Sequence, residues 1–108
     1  MIEDRILAWL NGQSKMRTIV EISSALKIGY DLVNRNCDHL WRERKIGRVF
    51  ARWWQPEEFD GKHGLKSRLF YMSLKTTTQL GIDALYPNSY VVERSEWMKL
   101  QSLGGGVE

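Results

Sequence analysis

Apolar residues recur along the first half of the chain at steps of four, three and one, the spacing that lines one face of an α-helix. Ile2, Ile6, Trp9 and Leu10 form the first such stripe and predict a helix over Ile2 to Asn11. Glu3 and Asp4 fall in its first turn, where the helix dipole favours acids. Asn11-Gly12 is expected to end it, with glycine taking a left-handed conformation. Gln13 to Arg17 reads as a polar connection, with Met16 tucked in. Thr18 and Glu21 then have the spacing of a capping box, so a second helix starts there and buries Ile19, Ile22 and Leu26. Lys27, Ile28 and Gly29 form a turn. A third helix follows over Tyr30 to Arg44, with Val33, Cys37, Leu40 and Trp41 on its apolar side.

The pattern changes after Ile46-Gly47. Arg48 to Trp54 is rich in β-branched and aromatic residues and predicts a strand. Gln55 to Ser67 holds a proline, two glycines and many charges, which predicts a loop. Arg68 to Leu74 predicts a second strand, so the three segments make a hairpin with a long tip. A helix is expected over Thr76 to Leu85, capped by threonine and stopped before Pro87. A strand is expected over Ser89 to Glu93. A last helix is expected over Ser95 to Leu103, carrying Trp97, Leu100 and Leu103. The organisation that results is a domain over 1–86, a capping or dimerisation segment over 87–103 and a flexible tail over 104–108.

At 108 residues the chain suits one small domain with its own core. One cysteine, Cys37, excludes an internal disulfide and a multi-cysteine zinc site, and fits a reducing, cytoplasmic setting. No apolar run nears the length of a membrane span, and the acidic start does not resemble a secretory signal. Net charge is only +3, but its distribution is uneven. Asn34 to Arg68 holds nine bases and five acids, whereas the rest holds seven bases and eight acids. The positive excess lies wholly in the third helix and the hairpin, as a phosphate-binding face requires. The alternative is a solvated basic surface.

The segments IVEISSALKIGYDLVNRNCDHLWRERKIGRV and FYMSLKTTTQLGIDAL resemble the winged helix-turn-helix family of small DNA-binding domains, over about Ile2 to Leu85. The resemblance implies an α+β fold with a three-helix core, a two-stranded wing and a C-terminal extension. It also implies sequence-specific binding of double-stranded DNA by a small prokaryotic or phage-type transcriptional regulator, cytoplasmic and associated with the nucleoid. The recognition helix, about 30–44, would enter the major groove and the wing, 55–67, would lie on the backbone. Gly29 departs from the family, where serine or threonine often caps the recognition helix. Asp31 and Asp38 depart too, because carboxylates repel phosphate, although an acid can accept from cytosine N4.

On the side of the third helix opposite the core lie Asp31, Asn34, Arg35 and Asp38, with Tyr30 at the entrance. Tyr30, Asn34 and Arg35 are the expected base contacts, since arginine suits guanine and asparagine suits adenine. Arg42, Arg44, Lys45, Lys62, His63, Lys66 and Arg68 are the expected phosphate contacts. The competing reading is an ordinary exposed helix face, and for Arg48 and Arg52 the wet side of a strand.

Trp53 and Trp54 are adjacent on a strand and point to opposite faces. Something must therefore cover the second face of the sheet. Trp97 and Leu100 are the expected cover, supplied by this chain or by a second copy, and a homodimer would suit a palindromic operator. Stacking on single-stranded nucleic acid is the weaker reading of the tryptophans. His39 and His63, the two histidines, belong to no catalytic or metal motif. No enzyme, cofactor or metal is expected, and no membrane partner. A protein-interaction module on the same scaffold is the alternative function.

Overall fold

The computed structural model describes residues 1–55, 64–93 and 95–99, without the side chains of 53–55 and 64–66. The elements are α1 (Ile2–Asn11), β1 (Arg17–Thr18), α2 (Ile19–Leu26), α3 (Tyr30–Arg42), β2 (Ile46–Gln55), β3 (Gly64–Ser73), α4 (Leu74–Leu80), β4 (Tyr90–Val92) and a last turn of helix, α5, at 95–99. The sheet runs β1-β3-β2-β4. β3 is antiparallel to both β1 and β2, and β4 lies parallel to β2 at the far edge. The fold is an α+β domain with a mixed sheet.

Each helix boundary has a chemical cause. Thr18 caps α2 as its spacing with Glu21 requires. The Glu21 amide donates to Thr18 Oγ1 (3.1 Å), and the Thr18 amide donates to Glu21 Oε1 (2.9 Å). Gly12 corrects the expectation for α1, because it is right-handed (φ −88°). Its amide donates to the Trp9 carbonyl, and the Gln13 amide to the Leu10 carbonyl. A tightened last turn thus closes the helix without a left-handed residue. α3 stops at Arg42 and not at Arg44. Arg44 itself is left-handed (φ 60°), its amide donates to the Trp41 carbonyl, and the Lys45 amide donates to the Leu40 carbonyl. That closure uses up the carbonyls on which another turn would build.

Further along, the boundaries move again. β2 is Ile46–Gln55 and β3 is Gly64–Ser73, so both strands are longer than the charge pattern implied. α4 is Leu74–Leu80, not Thr76–Leu85. Ser73 is its cap, accepting from the Thr76 amide at 3.2 Å, and Gly81 ends it with φ +66°, well before Pro87. β1, at the end of the expected polar connection, pairs Arg17 with Tyr71 and Thr18 with Phe70. The expected strand Ser89–Glu93 is present as Tyr90–Val92. Of the expected helix Ser95–Leu103, the described part is 95–99; Leu100, the rest of that helix and the 104–108 tail lie outside the described residues.

Alternation along β3 divides the core in two. Tyr71 and half-buried Leu69 join Ile6, Leu10, Ile22, Val33, Cys37, Leu40 and Trp41 beneath the helices. Phe70 and Met72 join Val49, Ala51, Ala84, Val92 and Trp97 on the other face. The Phe70 and Trp97 rings lie 4.1 Å apart, so this chain covers the second face of its own sheet. The side chains of Trp53 and Trp54 lie outside the described residues. Trp9, expected in the core, is half-buried at its margin, with the Arg17 guanidinium 5.9 Å from its ring centre.

Two glycines should respond oppositely to a side chain. A Cβ at Gly47 would press into Thr77 Oγ1 and lie 3.2 Å from Met72 Cε, whereas a Cβ at Gly29 meets nothing within 4 Å. Gly29 is also in an extended conformation (φ −56°, ψ 145°) that any residue adopts. In urea unfolding, Gly47→Ala should lose about 1–3 kcal/mol by overpacking. Gly29→Ser should gain about 0.5 kcal/mol, from an added cap and a less flexible unfolded chain.

Candidate functional site

α2 and α3 are joined by three residues, and that turn is stapled from both ends. Lys27 is left-handed (φ 56°) and its amide donates to the Ser23 carbonyl. The Ile28 amide donates to the same carbonyl, and Ser23 Oγ donates back to the Ile28 carbonyl at 2.5 Å. Ile28 is buried in the core beneath the helices. From α1, an Arg5 nitrogen donates to the Leu26 carbonyl at 2.9 Å. The entrance of α3 is therefore fixed, and with it the direction of Tyr30 and Asn34.

An open cleft of about 860 Å³ lies between this corner and β3. Its walls include Val20 and Glu21 of α2, Tyr30 and Asn34 of α3, Ser67 and Arg68 of β3, and Trp97. Tyr30 and Asn34 thus meet Arg68 across the cleft. Arg35 lies outside it, exposed on the outer face of α3. Among the described residues, the side chains of Asn34, Arg35, Asp31 and Arg68 have no hydrogen-bond or ion-pair partner. Val20 was missed in the sequence, although its exposure (61%) beside buried Ile19 and Ile22 follows from helical spacing: it is an apolar residue on an outward position.

The bases expected on phosphate divide into two sets. At the far end of α3, Arg42 Nε is 2.8 Å from Asp38 Oδ2, and its guanidinium sits 5.6 Å over Tyr86. Arg44 Nε donates to the Tyr86 carbonyl at 2.9 Å, and Lys45 Nζ is 3.5 Å from Glu43. Those three charges are already engaged within the chain. Arg68 is exposed at the cleft. Lys62, His63 and the Lys66 side chain lie outside the described residues.

Arg48 corrects the expectation of a wet strand residue. Its guanidinium lies 3.5 Å over the Trp41 ring, Nε donates to Ser89 Oγ (3.2 Å), and a terminal nitrogen is 3.9 Å from Asp38. Burial raises the pKa of the Tyr71 phenol, and the neighbouring Arg48 works against that rise. Asp38 therefore lies between two guanidinium groups, and its charge is locally compensated. Asp31 has no such compensation. Arg52 is half-buried.

Cys37 is buried and His39 is exposed. Burial pushes the Cys37 thiol up to about 12, which leaves it unreactive at neutral pH. His39 Nδ1 is 2.8 Å from Glu3 Oε2 and 3.7 Å from Glu43 Oε1, tying α3 to α1. The hydrogen bond and charge of Glu3, then the charge of Glu43, raise the His39 pKa above its ordinary 6.5. Among the described residues no helix is long and apolar enough to cross a membrane.

Two measurements test these contacts. Arg48→Ala should cost about 2 kcal/mol in urea unfolding, the worth of a charged hydrogen bond and a partly desolvated cation–π contact. Arg48→Lys should recover only part of that loss, because an ammonium lacks the planar fork. By NMR, the His39 ring should titrate above 6.5 in metal-free protein and return toward that value in Glu3→Gln. Any stability the pair contributes is complete below pH 6.5 and is lost as pH rises through the raised value. Compared with protein-family models, with curated proteins and with solved structures, the chain gives no match.

Proposed function

We propose that this chain is a winged helix-turn-helix domain that binds double-stranded DNA, as a small regulator would, with α3 in the major groove and the β2–β3 hairpin along the backbone. The observation that carries the reading is the corner of α2, a three-residue turn and α3, standing beside an antiparallel hairpin across one open cleft. The order α1-β1-α2-α3-β2-β3, with β1 on the outer edge of β3, supports it. So does the lack of partners for Asn34, Arg35 and Arg68 among the described residues, since polar groups that read bases or touch phosphates must be open to them. Asn34 and Arg35 are the proposed base readers, and Arg68 a proposed phosphate contact. The pairing of Asp38 with Arg42 and Arg48 removes one of two acids that would oppose phosphate. Binding, not catalysis, is the proposed activity.

A second reading has its own support. The outer face of α3 alternates Asp31, Arg35, Asp38 and Arg42 and carries little net charge. Val20, Tyr30 and Leu32 are 61%, 52% and 43% exposed around it. A neutral face with apolar residues at its margins suits a protein partner.

Titration against random-sequence duplex DNA separates the two. If about four phosphates are neutralised, binding should weaken about 100-fold between roughly 50 and 200 mM salt. Absence of binding at the lower salt would leave the protein-partner reading standing. On a duplex selected from a random pool, Arg35→Ala should cost about 1–3 kcal/mol and relax preference at one base position. Retention of full preference would remove Arg35 from the reading face.

A further inference from the structure

The surface where α1 crosses α3 gathers three groups that can ligate a metal, none of which lines the cleft. Glu3 comes from the first turn of α1. His39 and Glu43 are one helical turn apart at the end of α3, on the same side. The three donor atoms lie within 4.8 Å of one another. His39 Nδ1 is 2.8 Å from Glu3 Oε2 and 3.7 Å from Glu43 Oε1. Donors sharing one tetrahedral ion at about 2.0–2.2 Å are spaced about 3.3–3.6 Å apart, so the two distances bracket what an ion needs. We propose that Glu3, His39 and Glu43 form a surface site for one divalent transition-metal ion, clamping α1 to α3.

The donor set decides the class of ion. One imidazole nitrogen and two carboxylates suit zinc, nickel or copper, whereas magnesium and calcium take oxygen ligands. Binding displaces the imidazole proton to solvent, and the ion takes its place between ring and carboxylates. Two carboxylates and a neutral ring carry a charge of −2, which a divalent ion cancels. The two helices that carry the donors are held together from below. Ile2, Ile6 and Leu40, on the same two helices, pack in the core beneath them. Because the helices are already docked, an ion need not bring them together. Lys45 Nζ, 3.5 Å from Glu43, must swing aside, which it can do as an exposed side chain. Solvent supplies the remaining coordination positions. The site stands independently of DNA binding.

Calorimetric titration of the full chain with zinc chloride, without phosphate and at pH about 7.5, tests the proposal. One ion per chain should bind. Glu3→Gln and His39→Gln should each weaken binding by at least about tenfold, the lower bound of what even an outer-shell loss costs. His63→Gln should bind as the parent does. Zinc should also shift the His39 ring signals in NMR and leave those of His63 in place, a readout that needs no substitution. Equal affinity in His39→Gln, or a shift of His63 alone, would overturn the site. So would displacement of zinc by an equal concentration of magnesium, which would reduce the cluster to an acidic patch.

Discussion

Strand β3 has to be apolar on both faces, and the rest of the molecule is arranged around that constraint. Its neighbours β1 and β2 satisfy its backbone on both sides. Its side chains then alternate between two cores, Leu69 and Tyr71 toward the helices and Phe70 and Met72 away from them. A sheet buried on both faces needs two covers. The α1–α3 bundle is the first. The second is built from the chain after β3: Ala84, Val92 and Trp97, with Leu80 and Ile82 at the margin. The C-terminal segment is thus part of the layer structure of the domain, not an appendage to it.

The same constraint sets the site. Because Tyr71 and Ile46 meet the apolar stripe of α3, that helix lies against one face of the sheet with its outer face turned to solvent. Arg48 reinforces the arrangement from β2. Placed between Trp41 and Asp38, it links the helix, the sheet and, through Ser89, the C-terminal segment. A change in any of these elements would be felt at α3 through one guanidinium group.

What could be read from the sequence, and what could not, follows from range. The stripes of α1, α2 and α3 and the capping box at Thr18 are local signals, and each gave its element within a residue or two. The stop of α3 was obscured because Arg44, which closes it, is left-handed without being glycine. Such a conformation costs about 1–2 kcal/mol and is held by the surrounding hydrogen bonds, which no residue type announces. β1 was invisible for a different reason: two residues make no pattern, and only the pairing of Thr18 with Phe70 defines it. In the site, Tyr30 and Asn34 could be placed from helical spacing alone. The partners of Asp38 and His39 could not, since Arg48 and Glu3 reach them from elsewhere in the fold, Glu3 from 36 residues away.

β4 has a consequence beyond packing. Without it, β2 would be an edge ten residues long, with Phe50, Trp53 and Trp54 in its sequence and a full row of backbone donors and acceptors open to any other extended chain. β4 occupies that row at Val49 to Ala51. Arg52 follows immediately, a charge of the kind that discourages edge-to-edge pairing. Three residues of parallel strand and one arginine thus shorten the open edge of β2, giving the C-terminal segment a part in closing the sheet.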